Sequence, residues 1–160
     1  MVGLVHSEID VWKALGEICD PEIPVLSIVD LKIVHSLVVI GDEVTVDITP
    51  TFIGCPALDM IAELIQKRLL GIGFRAVHVK KNYTAHWSTD MLDQSVRTKL
   101  EGFGIAPPSH YGDVTIELPT ACPFCKSTET QLENPFGATL CKQLYYCNSC
   151  LQSFEKFKAL

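Results

Sequence analysis

The chain has no run of apolar residues approaching the ~18–20 needed to cross a bilayer, so no membrane span is expected. Its start, Met1-Val2-Gly3-Leu4-Val5-His6, has neither a basic n-region nor a long apolar h-region, and is not read as a signal peptide. A glycine-rich phosphate loop is missing, and so is a G-x-S-x-G nucleophile turn. Both gaps argue against a self-sufficient nucleotide enzyme or hydrolase, and no catalytic residue is assigned. The histidines, His6, His35, His78, His86 and His110, have no H-x3-H spacing and read as surface or core residues rather than ligands. Positive charge is scarce: 13 Lys and Arg stand against 19 Asp and Glu, a net charge of −6. Nine of those cations and sixteen of those anions precede Pro119, a balance of −7; the remainder of the chain carries four against three, or +1. A nucleic-acid binder needs a basic stripe to neutralise phosphates, and none is present, so no nucleic acid is expected as a partner.

Cysteine, by contrast, is plentiful, with seven residues. Cys122 and Cys125 form one C-x2-C pair, and Cys147 and Cys150 form another. Each pair puts two thiolates on one tight turn, and two such turns about twenty residues apart close a tetrahedral four-thiolate site. A disulfide reading is weak, because the count is odd and no export signal is recognised; free thiols point to a reducing cytoplasm. Four thiolates leave no open position for catalysis, so the expected metal is structural zinc. Iron, as a mononuclear centre or an iron–sulfur cluster, is the alternative, since the same ligands suit it. Cys141 reads either as an extra ligand or as a thiol buried beside the site.

The segment from Pro119 to Leu160 is too short to build a sufficient core without a staple, given that chains below ~40 residues usually need one. The chain is therefore divided into a domain over residues 1–106, a Pro-rich linker over 107–118 and a four-cysteine ribbon over 119–160.

Within the first part the patterns alternate between helix and strand. Ser7 with Asp10 resembles a capping box, and Val11, Trp12, Leu15, Ile18 and Cys19 then share one helical face. Asp20-Pro21-Glu22-Ile23-Pro24 stops that helix, because two prolines in four residues cannot continue it. Val34–Ile40 and Glu43–Thr49 read as a β-hairpin around a Gly41-Asp42 type II′ turn. After a turn at Pro50–Gly54, Pro56 fits the first position of a second helix, with Leu58, Ile61, Ile65 and Leu69 on its apolar face. Ala76–Lys81 is a third strand. Ser88 or Thr89 then caps a third helix carrying Leu92, Val96, Leu100 and Phe103 inward.

This reading puts Cys55 at a helix N-terminus. Unpaired backbone N–H groups and the positive end of the helix dipole there favour thiolate and lower its pKa. Thr49 and Thr51 stand close enough in sequence to supply hydroxyl hydrogen bonds. If the Asp20–Pro24 loop reaches the same end of the sheet, Asp20 and Glu22 add two carboxylates, and the set can hold a metal transiently. The plain alternative is that Cys55 packs as a small cap and Asp20 serves as a turn residue.

Asp20-Pro21-Glu22-Ile23-Pro24-Val25, Ile28-Val29-Asp30-Leu31 and Thr49-Pro50-Thr51-Phe52-Ile53-Gly54-Cys55-Pro56 resemble the signature of the small iron–sulfur assembly domain, over about Ser7 to Lys81. His86-Trp87-Ser88-Thr89-Asp90-Met91, Gly104-Ile105-Ala106-Pro107-Pro108 and the ribbon segments Cys122–Cys125, Phe136–Lys142 and Cys147–Cys150 resemble the accessory proteins of bacterial phenylacetyl-CoA ring epoxidases. The resemblance implies an α+β fold, with three helices on a short mixed sheet followed by a zinc ribbon, and a homodimer. It implies a role in phenylacetate catabolism, maturing the iron or iron–sulfur centres of the oxygenase. Oxygenase subunits or iron–sulfur carrier proteins would be the partners. Carried over by position, the functional loop residues are Asp20, Glu22, Thr51 and Cys55, and the ribbon ligands are Cys122, Cys125, Cys147 and Cys150. A non-catalytic or electron-transfer subunit with iron in the four-cysteine site is the alternative. Two positions depart from the family pattern: Lys32 where a glycine usually follows Asp-Leu, and Ala159 where some relatives carry a terminal cysteine.

Overall fold

A computed structural model describes residues 6–109 and 119–160. His110 and all of the expected linker beyond Ser109 lie outside the described residues. The chain forms two compact units, divided between Trp87 and Ser88.

In the first unit, helix α1 (Glu8–Gly16) starts on the expected capping box: the Asp10 N–H donates to Ser7 Oγ at 3.3 Å, and the Ser7 N–H donates to the Asp10 carboxylate at 2.9 Å. Val11, Ala14 and Leu15 are buried, as is Ile18 just beyond the helix. Trp12 and Cys19, expected on the same face, are exposed instead. Cys19 lies past the helix end in an isolated bridge to Ser27, where the period no longer applies.

Strands β1 (Val34–Ile40) and β2 (Glu43–Ile48) are antiparallel around Gly41-Asp42. Gly41 has φ +63° and Asp42 does not share that sign, the combination a type II′ turn needs. Helix α2 (Ala57–Gly71) is the crossover that lets β3 (Ala76–Lys81) pair in parallel with β2. The mixed sheet has the order β1-β2-β3. Val44, Val46 and Ile48 of β2 join Leu15, Ile61, Ile65 and Leu69 in a fully buried core. Each such side chain stabilises the fold by ~1.5–3 kcal/mol relative to exposure. The Trp87 indole N–H donates to the Leu31 carbonyl at 2.9 Å, which anchors the end of this unit. Lys32, the departure from the glycine pattern, does have a left-handed backbone, with φ +55°.

The second unit begins earlier than the sequence division at residue 106. A 3₁₀ turn (Thr89–Met91) is capped by Ser88, and helix α3 (Gln94–Gly102) starts only after Asp93. The single helix expected from Ser88 is interrupted because Leu92 is extended, with ψ 124°. Thr89 is held elsewhere: its N–H donates to the Leu160 carbonyl at 3.1 Å and its Oγ1 accepts from the Leu160 N–H at 3.2 Å. Phe103, expected inward, is exposed. Buried Arg97 donates to the carbonyls of Pro108 at 2.5 Å and Thr89 at 3.0 Å.

Short strand β4 (Ile105–Ala106) pairs in parallel with β7 (Gln152–Phe157), followed by β6 (Lys142–Cys147) and β5 (Thr130–Asn134). The sheet order is β4-β7-β6-β5. Ala106, Cys122, Cys147 and Phe154 form its core, with Tyr145 and Cys150 against them. Residues that the sequence assigned to the first domain therefore complete the ribbon's sheet.

This arrangement has a testable consequence. A chain truncated after Ser109 should keep residues 6–87 cooperatively folded and lose protection over 88–109, because the described partner of β4 is β7. Hydrogen exchange reads this directly. Native-like protection of α3 in the truncated chain would show that it folds without the ribbon.

Candidate metal centre and motif loops

The four ribbon cysteines converge. Their sulfur atoms all lie within 4.8 Å of one another, with Cys122 Sγ 3.7 Å from Cys150 Sγ and Cys125 Sγ 3.5 Å from Cys147 Sγ. A metal bound at ~2.3 Å to four sulfurs in a tetrahedron spaces them by ~3.8 Å, so the donor set fits. Each pair sits on the same kind of turn. The Lys126 N–H donates to the Cys122 carbonyl and the Leu151 N–H to the Cys147 carbonyl, both at 2.9 Å. Lys126 and Leu151 take left-handed φ values of 65° and 60°. A non-glycine residue there costs roughly 1–2 kcal/mol, which the closed turns must offset. Ser127 Oγ and Ser149 Oγ, 2.7 Å apart, tie one turn to the other.

The site is electrostatically unbalanced without a cation. The N–H of Cys150, joined by that of Ser149, lowers the Cys147 thiol to about 7 against the opposing effect of burial. Burial first, and then the other three sulfurs, pushes Cys150 up to about 12. Four thiolates cannot ionise together at neutral pH unless a metal compensates them. Among the described residues, the cluster contains these four cysteines and not Cys141. Cys141 lies beside Thr139, with Oγ1 and Sγ 3.1 Å apart, so the extra ligand allowed by the sequence is not part of the cluster.

The two motif loops of the first unit interact through charge. Carboxylates of Glu22 and Asp20 act on the Cys55 thiol, and the backbone N–H groups of Ala57 and Leu58 oppose them; the Leu58 N–H donates to the Cys55 carbonyl at 3.3 Å. Cys55 thus sits where a helix-capping side chain sits, although α2 is assigned from Ala57. The expected activation is reversed. Burial dominates and raises the thiol above its ordinary value, the two carboxylates add to the rise, and the helix amides offset only part of it. The dipole argument from sequence omitted desolvation and the facing carboxylates, which are tertiary effects.

Asp20 is buried, and its Oδ1 accepts from the N–H groups of Glu22 and Ile23, each at 2.8 Å. It shapes the proline loop and presents its charge to Cys55 as well. Glu22 and Thr51 are partly buried. Thr49 is turned away, since its Oγ1 donates to the Asn82 carbonyl at 2.7 Å. Sequence reading missed a buried ion pair in the ribbon: Lys142 Nζ lies 2.7 Å from Glu155 Oε2, and the Ala138 N–H donates to Oε1 at 2.7 Å. No motif marks that pair.

A helix-and-sheet unit carrying Cys55 at the start of its second helix, followed by a four-cysteine ribbon, defines a two-part class. Residues 8–80 match the family model described as iron–sulfur cluster assembly protein, and residues 107–158 match the PaaD zinc beta ribbon domain. An Escherichia coli relative, named for a component of 1,2-phenylacetyl-CoA epoxidase, is 37% identical over 94% of this chain and 92% of its own length. A Porphyromonas gingivalis relative, named as an Fe–S protein maturation auxiliary factor, is 31% identical over 60% of this chain and 92% of its own. Among solved structures, a conserved hypothetical protein from Thermotoga maritima superposes with TM-score 0.53 at 25% identity, covering 62% of this chain and 98% of that one. A domain of unknown function from Bacillus anthracis superposes with TM-score 0.54 at 23% identity, covering 58% of this chain and 90% of that one, and supports the fold alone. The chain belongs to the PaaD family of phenylacetyl-CoA epoxidase components. Among the described residues, no helix is long and apolar enough to cross a membrane.

Proposed function

We propose that this chain is an accessory protein of a phenylacetyl-CoA epoxidase system, without independent catalysis, that assists assembly of iron or iron–sulfur centres in its partner subunits. The observation that carries this reading is the match of residues 8–80 to the iron–sulfur cluster assembly family, and the charges of Glu22 and Asp20 that reach the Cys55 thiol support it. These three side chains do not form a preassembled metal site; a metal captured at Cys55 would draw the Asp20 and Glu22 loop in, one soft donor beside two hard ones, which suits brief rather than permanent holding. A thiol raised by burial must lose a proton to bind metal, so capture should strengthen as pH rises. Thr51 lies in the same turn and completes the functional loop. The partners are oxygenase subunits or iron–sulfur carriers, the protein works in the cytoplasm, and it acts as a homodimer. The ribbon metal is zinc with a structural role, which a colourless protein with one zinc per chain would support. Iron–thiolate colour at that site would favour the electron-transfer reading.

Cys55→Ser provides the test. Serine is a good helix cap, so α2 should remain, but it supplies no thiolate at neutral pH. The variant should fail to restore phenylacetate growth in a strain lacking this gene, and the oxygenase should be iron-poor. Full growth with normal iron loading would return Cys55 to a packing role. A growth defect with a fully loaded oxygenase would place the chain in turnover instead.

A further inference from the structure

Strand β1 is an edge strand: among the described residues its sheet neighbour is β2 alone. Edge strands of soluble proteins are usually short, charged or interrupted, because unpaired backbone groups template pairing with another chain. The opposite edge of this sheet follows that rule, since β3 carries Lys80 and Lys81. In contrast, β1 spans seven residues, Val34-His35-Ser36-Leu37-Val38-Val39-Ile40, and contains no Asp, Glu, Lys or Arg. Its one irregularity lies between Val34 and Ser36, so Ser36–Ile40 runs regularly. On the sheet face away from the core, Val38 is 53% exposed and Ile40 is 74% exposed.

The register determines which backbone groups remain open. Ile40 and Glu43 flank a two-residue turn and pair directly. In such a hairpin the flanking pair exchanges hydrogen bonds, and alternate pairs do so after it. Val38 is therefore bonded to Thr45 of β2, whereas Leu37 and Val39 direct their N–H and C=O groups outward, opposite Val46 and Val44.

We infer that the outer edge of β1 is the interface with a second copy of this chain, paired antiparallel about a twofold axis at Val38. This deepens the homodimer of the proposed function and rests on it. The occupant follows from chemistry. An edge row of N–H and C=O groups takes an extended strand, and a strand without charge meets no repulsion from its own copy. Centring the axis on Val38 sets Leu37 opposite the partner's Val39 at hydrogen-bonded positions, so the outward groups satisfy one another with about four backbone bonds. It also puts Val38 against the partner's Val38 at a non-hydrogen-bonded position, where Cβ atoms approach to ~4.5–5.5 Å. Ser36 falls opposite the partner's Ile40. The two three-stranded sheets become one of six strands, and the two Val38 side chains pack side by side.

The test uses the full chain in analytical ultracentrifugation, with hydrogen exchange alongside. The wild type should be dimeric, with slow exchange at the Leu37 and Val39 amides. Val38→Lys and Val38→Glu each place like charges across the axis; each alone should be monomeric and lose that protection. An equimolar mixture should restore the dimer, because unlike charges then face each other. That rescue excludes misfolding as the reason for either loss. A wild type that stays monomeric at all concentrations would overturn both the homodimer and this interface. A dimer indifferent to both substitutions, or fast exchange at Leu37 and Val39 within a dimer, would overturn the interface and leave the homodimer. A mixture that fails to re-form the dimer would also overturn it.

Discussion

A Cys147→Ser chain should lose its ribbon metal and the folded structure that depends on it. Cys147 and Cys122 are wholly buried in the ribbon core and also supply half of the sulfur cluster. Removing one thiolate leaves three, and also takes away the sulfur that the N–H groups of Cys150 and Ser149 hold. A structural zinc of this kind supplies an apparent ~10–16 kcal/mol of folding free energy at neutral pH, more than a small unit can lose. Metal analysis should show less than one equivalent per chain, and β5–β7 amides should exchange freely. The core of residues 6–87 contains none of these ligands and should keep its protection. Unchanged metal content would disprove the four-cysteine assignment.

The next largest effect is expected from Lys142→Met. Lys142 is buried, and its side chain is 5% exposed where it meets Glu155, itself 24% exposed. Losing the ammonium strands a desolvated carboxylate, which costs roughly 3–5 kcal/mol, whereas exchanging the whole pair for apolar groups is often near neutral. Thermal melting of metal-loaded protein should therefore show a large loss for Lys142→Met and substantial recovery for the double variant Lys142→Met/Glu155→Met. The Ala138 N–H would lose its acceptor in the double variant, but Ala138 is exposed and water can replace it. Equal losses in the single and double variants would mean that the lysine acts through packing alone.

The same pair explains a residue that the sequence could only quote as part of a motif. A Cβ on Gly137 would lie 2.8 Å from Glu155 Oε1 and 3.2 Å from Lys142 Cβ. A side chain at Gly137 would press on the ion pair and displace the Glu155 carboxylate. Nothing in Phe136–Lys142 announces this, since Glu155 arrives from a strand formed a dozen residues later. Lys142 and Glu155 become diagonal neighbours only through the β6–β7 register, in which Lys142 faces Phe157 and Leu144 faces Glu155.

Local signals were legible wherever the physics was local. The capping box at Ser7 and Asp10, the Gly41-Asp42 hairpin, the apolar face of α2 and the spacing of both C-x2-C turns all follow from interactions a few residues apart. What remained hidden depended on partners far along the chain. Trp12 shares a face with Val11 and Leu15 by periodicity, yet it stays 38% exposed while they are fully buried. The helix expected from Ser88 breaks because Thr89 bonds to Leu160, a pairing across 71 residues. Ile105 and Ala106 lie before the ribbon in sequence, where its family match begins at residue 107, yet β4 completes a sheet whose other strands come after residue 129.

Residue type and short spacing were enough for the helix and strand segments, the four clustered cysteines and the motifs of the family resemblance, which in turn implied the α+β class. The ionisation of Cys55 and the choice of open strand edge arise only on folding. Helix amides near Cys55 are written in the chain around Pro56, and they favour thiolate. The burial and the Asp20 and Glu22 charges that outweigh them come from the tertiary fold. That is a balance of desolvation and through-space charge, and spacing along a chain does not encode it.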